Sequence, residues 1–204
     1  MQDQRAIAAA AMDVLGQAQF EQAELIGSVA TDRHDQFSDI DILIRDPRRS
    51  PRTNVEVAQS LLVREFGSLL TDWAGSLLPG KCLISLFLPG FPLYWYIDIG
   101  CRADPDYPDI TRDQIFEDRD THLAKLLIMN AKHFLRGNAA RLRIDDLYRK
   151  VIPDGIEATT TGKFIAVFDA IDYSNLEPEL LEKSQAIIAG LGQQRTTEGS
   201  RYAL

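Results

Sequence analysis

The stretch of sequence that decides the fold runs from Ile26 to Ile44 and reads Ile-Gly-Ser-Val-Ala-Thr-Asp-Arg-His-Asp-Gln-Phe-Ser-Asp-Ile-Asp-Ile-Leu-Ile. Residues 23–26, Ala-Glu-Leu-Ile, have the character of a short strand that stops at Gly27. Residues 40–44 are apolar and mostly β-branched apart from one aspartate, which predicts a second strand. The sequence therefore predicts two short strands joined by a loop, with polar residues at the end of the first strand and at the start of the second.

Asp39 and Asp41 give the first chemical signal. Successive side chains of a strand point to opposite faces, so these two carboxylates share a face, about 7 Å apart. Bare carboxylates in that position would repel, and a cation between them would remove the repulsion. Hard oxygen ligands select magnesium or calcium.

Asp98 gives the second signal, because it interrupts the otherwise apolar run Trp-Tyr-Ile-Asp-Ile at residues 95–99. Burying a lone carboxylate in such a strand costs several kcal/mol unless it has a partner. A metal ion shared with Asp39 and Asp41 would supply that partner.

These residues resemble a known motif. Gly27-Ser28, ten intervening residues, Asp39-Ile40-Asp41, and Asp98 on a later strand are similar to the polymerase-beta-type nucleotidyltransferase superfamily. Within it, the helical second half resembles the small bacterial adenylyltransferases that modify aminoglycosides and lincosamides. The motif resemblance covers residues 26–44 and 94–99. In one departure, Thr31 and Asp32 stand where these families often carry Arg-Gly, which removes a phosphate-binding cation.

The resemblance implies both a fold and a reaction. The fold is α/β (α+β), with a small mixed sheet flanked by helices and followed by a C-terminal helical bundle. The reaction moves AMP from ATP, or more generally a nucleoside monophosphate from its triphosphate, onto a hydroxyl and releases pyrophosphate. Asp39 and Asp41 would hold one or two Mg²⁺ ions, and Asp98 would bind the second ion or act as general base.

Four further residues are candidates for binding the nucleotide. Gly27 and Ser28 would contact the β- and γ-phosphates through backbone N–H groups and the serine hydroxyl, and Gly27 would let the backbone approach closely. Ser38, directly before Asp39, and Lys132, on a predicted helix, complete the set. His34 lies in the same loop as Ser38 and is the weaker candidate.

The periodicity of apolar residues predicts the domain organisation. Helical spacing covers residues 3–18 and 54–74, the second with Asn54 as its N-cap, and the runs 82–88 and 93–99 predict a β-hairpin. From about residue 111 the pattern predicts helices only, at 122–135, 144–151, 163–171 and 178–191. We expect a catalytic domain over residues 1–110, a helical domain over 111–191 and a flexible tail over 192–204.

Composition shapes the expected partners. The 204 residues carry a formal net charge of −8, which disfavours a polynucleotide partner and favours a small, cationic acceptor. Acidic residues of the second half, namely Asp145, Asp146, Asp169 and Asp172, would attract such an acceptor. Prolines and glycine interrupt the longest apolar stretch, so we expect a cytoplasmic protein without membrane contact. The sequence leaves the oligomeric state open, although a homodimer could complete the site.

Three alternatives stay open. The chain could modify a protein, as antitoxin-type members of the superfamily do, although these should be shorter and lack much of the helical half. It could be a non-catalytic nucleotide-binding module, which the intact trio of aspartates disfavours. It could extend RNA without a template, which the net charge of −8 disfavours.

Overall fold

The chain divides into two compact units, Met1–Glu117 and Asp118–Leu204. The computed structural model describes residues 3–73, 81–102, 118–155 and 158–198. The predicted domain boundary at residues 110 and 111 lies outside the described residues. No helix within those four ranges combines the length and apolar character that crossing a membrane requires.

The first unit is a five-stranded mixed sheet with flanking helices, which confirms the predicted fold class. The strand order is β1-β2-β5-β4-β3, with β2 and β5 parallel and the other neighbours antiparallel. The strands are β1 (Gln22–Ile26), β2 (Ile40–Arg45), β3 (Leu70–Trp73), β4 (Lys81–Phe87) and β5 (Ile97–Arg102). The helices are α1 (Gln4–Gly16), α2 (Gly27–Ala30) and α3 (Pro51–Phe66), with a 3₁₀ turn at Leu93–Trp95.

One face of this sheet forms the core of the unit. Ile40, Ile42 and Ile44 of β2 are at most 1% exposed and belong to a cluster that includes residues of α1 and α3. Each such side chain contributes about 1.5–3 kcal/mol when buried. A slip of one residue would exchange them for the side chains of the opposite face, so the core fixes the register of β2. That register in turn decides where Asp41 lies.

Helix α3 is shorter than predicted and starts earlier. Ser50 is its N-cap, accepting a hydrogen bond from the N–H of Thr53, and Pro51 begins the helix. Gly67, with φ +75°, ends it, and residues 70–73 form β3 instead of a last helical turn. Residues 69, 70 and 73 are apolar positions that fit either structure, so spacing alone extended the predicted helix too far.

Asn54 therefore lies inside α3, and its predicted role as N-cap is wrong. Its side chain is 2% exposed, and its Nδ2 donates to the backbone oxygen of Asp46 at 2.9 Å. This bond ties the loop after β2 to α3.

The predicted hairpin is present, although its second strand starts later than predicted. Strands β4 and β5 pair antiparallel, and Cys82 lies opposite Cys101. Residues 93–95 form the 3₁₀ turn, and β5 begins at Ile97.

The second unit is helical in its described part. Its helices are α4 (Arg119–Leu135), α5 (Ile144–Val151), α6 (Thr160–Asp169) and α7 (Pro178–Glu198), with 3₁₀ turns at Ala139–Arg141 and Tyr173–Asn175. Phe134 of α4 meets Phe164 of α6 edge to face, with ring centroids 5.6 Å apart. Helix α7 continues past residue 191, where the sequence predicted a tail, as far as Glu198.

Replacing Asn54 with Ala should destabilise the protein by about 1 kcal/mol, because it removes the buried hydrogen bond to the Asp46 carbonyl, which keeps the N–H of Arg49 as a second donor. Urea unfolding measures the change. Ser60→Ala, on the exposed side of the same helix, is the matched control and should stay within about 0.5 kcal/mol of the wild type. Equal unfolding midpoints for both variants would show that the bond to Asp46 adds no stability.

Candidate active site

Three carboxylates meet where β2 and β5 begin. Asp39 directly precedes β2, Asp41 is its second residue, and Asp98 is the second residue of β5. Because the two strands are parallel neighbours, Asp41 and Asp98 are register partners. One oxygen of each carboxylate lies within 4.8 Å of the others, and all three residues are half-buried. The structure thus brings together the three residues that the sequence singled out.

This arrangement has the chemistry of a site for a hard divalent cation. Unit charges 4–5 Å apart repel by about 3–4 kcal/mol per pair at an effective dielectric constant of about 20. A donor set of three carboxylate oxygens suits Mg²⁺ better than the soft or nitrogen-binding metals. The residues present therefore fit a magnesium ion.

Two buried hydroxyl groups bond to the outer carboxylates of the trio. The Ser85 hydroxyl donates to Oδ1 of Asp98 at 2.6 Å, and Ser85 is 2% exposed. The Tyr96 hydroxyl donates to Asp39, and Tyr96 is 1% exposed. Burial raises the pKa of Tyr96 well above its usual value, and the nearby carboxylates raise it further, so the phenol keeps its proton.

Neither hydroxyl was among the residues predicted from the sequence. Ser85 did carry a signal, because it is a polar residue between Ile84 and Leu86 in an otherwise apolar strand. Tyr96 carried none, since a tyrosine at the start of a strand is common.

Gly27 is required by its close approach to Asp41. It has φ +77°, and a Cβ atom built there would lie 2.2 Å from Oδ2 of Asp41. The sequence predicted a close approach of phosphates to this glycine, whereas in the structure the neighbouring group is a carboxylate of the trio. Ser28 follows it in the four-residue helix α2 and is half-buried. The phosphate contacts of both residues stay predictions.

Asp32 adopts a backbone conformation that would also suit a glycine. Asp32 has φ +57°, in the left-handed region that glycine adopts freely and aspartate tolerates better than most residues. Its carboxylate forms an exposed ion pair with Arg5. Thr31 turns its hydroxyl back onto the carbonyl of Gly27 at 2.9 Å.

Ser38 lies inside the loop that leads to Asp39. It is 1% exposed, and its hydroxyl donates to Oδ1 of Asp35 at 3.1 Å while accepting from the Asp35 N–H at 3.0 Å. Gln4 donates to the backbone oxygens of both residues, and the indole N–H of Trp95 donates to the Gln36 oxygen at 2.9 Å. These bonds indicate that Ser38 holds the loop in place and favour this role over the predicted contact with a nucleotide.

The remaining candidates belong to the second unit. Lys132 of α4 is 3% exposed, and its contact with a nucleotide stays a prediction. Asp145 binds Lys163 at 2.8 Å, and Oδ1 of Asp172 accepts from the N–H of Ser174 at 2.9 Å. These acidic groups are therefore engaged within their own unit.

Two solved structures align with most of this chain. One, described as the polymerase core of TRAMP, an RNA surveillance complex, has 15% sequence identity and a TM-score of 0.37, over 89% of this chain and 54% of that chain. The other, described as the GLD-2/RNP-8 complex, has 10% identity and a TM-score of 0.33, over 82% of this chain and 77% of that chain. This chain thus spans about half the length of the first. No protein-family model and no curated protein matches it.

The predicted partners need correction. The sequence predicted a small cationic acceptor and no nucleic acid, whereas the first aligned structure is described as the polymerase core of an RNA surveillance complex. The in-unit bonds of Asp145 and Asp172 also remove part of the motivation for that prediction. Neither aligned structure is described as an aminoglycoside- or lincosamide-modifying enzyme, and similarity of this strength does not identify what this chain acts on.

Gly27→Ala should destabilise the protein and displace Asp41. Gly90→Ala is the matched control, because Gly90 has φ +76° and no described atom lies within 4 Å of a Cβ built there. Both variants bear the backbone cost of a left-handed alanine, about 1–2 kcal/mol, and only Gly27→Ala adds the clash with Asp41. Chemical denaturation should show a larger loss of unfolding free energy, relative to the wild type, for Gly27→Ala than for Gly90→Ala. Equal losses would show that Asp41 moves aside freely.

Proposed function

We propose that this chain is a magnesium-dependent nucleotidyltransferase that uses ATP as donor. The observation that carries the proposal is the convergence of Asp39, Asp41 and Asp98, with one oxygen of each within 4.8 Å of the others. Gly27 and Ser28 lie beside this trio, since Gly27 approaches Asp41 directly. The order Gly-Ser, Asp-x-Asp, Asp along the chain supports the same reading, because it resembles the motif of the polymerase-beta-type superfamily.

In this proposal each residue has a defined task. Asp39 and Asp41 would hold Mg²⁺, which would supply positive charge to neutralise the triphosphate and favour attack at its α-phosphorus. Gly27 and Ser28 bind the outer phosphates through backbone N–H groups and the serine hydroxyl. Asp98 would complete the metal site and would also accept the proton of the acceptor hydroxyl as the new oxygen–phosphorus bond forms and the bond to pyrophosphate breaks. Charge neutralisation and positioning account for most of the acceleration.

The proposal leaves the acceptor open. A transfer assay with ATP labelled at the α-phosphate, Mg²⁺, and separate samples of RNA, DNA and extracted protein identifies the class that takes the label. Label on none of these, with no Mg²⁺-dependent release of pyrophosphate, would contradict the proposed activity.

Each of Asp39→Asn, Asp41→Asn and Asp98→Asn should reduce Mg²⁺-dependent release of pyrophosphate at least 100-fold, because each removes a carboxylate from the metal site. Without metal the variants should melt at or above the wild-type temperature, since each removes repulsion within the trio. Asp13→Asn, on the exposed surface of α1, is the charge-matched control and should keep its activity within about twofold. Near-normal turnover in any trio variant would remove that residue from the site.

ATP with Mg²⁺ should raise the melting temperature of the wild type, whereas ATP with EDTA should hardly change it. At ten times the dissociation constant, binding adds about 1.4 kcal/mol, which is roughly 3–5 °C for a chain of this size. Differential scanning fluorimetry measures the shift, and Asp41→Asn should lose most of it. Equal shifts with and without Mg²⁺ would argue against a metal held by the trio.

A further inference from the structure

Ser85 places a buried hydroxyl directly across from a carboxylate of the trio. It is the register partner of Asp98 on the neighbouring antiparallel strand, so both side chains lie on the same face of the sheet. The distance of 2.6 Å from its hydroxyl to Oδ1 of Asp98 is that of a strong bond between a hydroxyl and a charged acceptor. Its neighbours Ile84 and Leu86 belong to the core face, so this serine is oriented toward the site by the strand itself.

Tyr96 is held in place at three points beside Asp39. Its ring stacks on Phe87, with centroids 4.7 Å apart, and its backbone oxygen accepts from the N–H of Ile40 at 3.0 Å. Its hydroxyl bonds to Asp39. The residue that fixes the start of β2 through the backbone therefore also bonds to the carboxylate immediately before that strand.

We propose that Ser85 and Tyr96 are positioning residues that orient Asp98 and Asp39 to receive the cation. This inference rests on the proposed function, because it supposes a metal held by the trio. Each hydroxyl occupies one carboxylate oxygen and restricts rotation of that carboxylate, which leaves less conformational entropy to lose when a cation binds.

The chemistry of a hydroxyl suits this task. A lysine or arginine in the same place would also bond to the carboxylate, but its positive charge would compete with the cation. A neutral donor satisfies the buried oxygen and keeps the negative charge of the trio. Ser85 and Tyr96 thus orient two ligands without weakening their attraction for a divalent ion.

The test measures cation binding separately from catalysis. Mn²⁺ serves as the probe, because electron paramagnetic resonance of free Mn²⁺ gives its dissociation constant on the full chain without nucleotide. We expect Ser85→Ala and Tyr96→Phe each to weaken Mn²⁺ binding about tenfold and to lower kcat in the transfer assay by a similar factor. Ser85→Thr keeps the hydroxyl and should restore Mn²⁺ affinity to within about threefold of the wild type.

Two matched variants control for the loss of a buried hydroxyl as such. Tyr94→Phe removes the hydroxyl of a tyrosine two residues before Tyr96, and that hydroxyl has no hydrogen-bond partner among the described residues. Ser184→Ala removes the hydroxyl of a serine on α7 that is 1% exposed. Both should bind Mn²⁺ like the wild type. If Ser85→Ala fails to fold, the comparison of Tyr96→Phe with Tyr94→Phe still decides.

The outcomes separate this inference from the proposed function. If Ser85→Ala and Tyr96→Phe fold and bind Mn²⁺ as tightly as the wild type, the positioning role is overturned. The proposed metal site still stands in that case, provided that Asp41→Asn weakens Mn²⁺ binding. A wild-type chain that binds Mn²⁺ no better than Asp41→Asn overturns the proposed metal site and this inference together. Tenfold losses of Mn²⁺ affinity in Ser85→Ala and Tyr96→Phe, with Tyr94→Phe and Ser184→Ala unchanged, support the positioning role.

Discussion

Repulsion among Asp39, Asp41 and Asp98 is the constraint on which the rest of the first unit depends. With one oxygen of each within 4.8 Å of the others, every pair costs about 3–4 kcal/mol in the absence of a cation. The opposite face of the same two strands offsets this cost, since each of their fully buried isoleucines contributes about 1.5–3 kcal/mol. The strict alternation of β2 links the two effects: the register that buries the isoleucines is the register that brings the carboxylates together.

The structure around the trio is specific at the scale of single atoms. Gly27 leaves room for Oδ2 of Asp41 where any other residue would place a Cβ. Ser85 and Tyr96 bond to the two outer carboxylates, and the bonds of Ser38 and Trp95 hold the loop that delivers Asp39. A cluster of acidic side chains that merely shared a surface would need none of these features. Their presence around one small volume is what distinguishes a built site from an acidic patch.

The sequence predicts those parts of the fold whose signal is local. The alternation over residues 40–44 and the lone aspartate in an apolar strand were enough to locate β2, β5 and the trio. The helix over residues 54–74 was predicted too long because its last apolar positions fit a strand equally well, and the positive φ of Gly67 is visible only in the structure. Ser85 also interrupts an apolar strand, but serine costs far less than aspartate to bury, so its position is a weaker signal of a site. Tyr96 acts through tertiary packing that no local pattern encodes.

The prediction about partners failed because it was based on the net charge of the chain. A formal charge of −8 sums over the chain, whereas a ligand responds to the charge left unneutralised at one surface. Asp145 pairs with Lys163 and Asp46 with Arg48, and such pairs contribute nothing to the net charge, so the sum does not show where unneutralised acidic groups lie. Net charge therefore bears on solubility and long-range attraction, and the class of acceptor has to be inferred from the surface that contacts it.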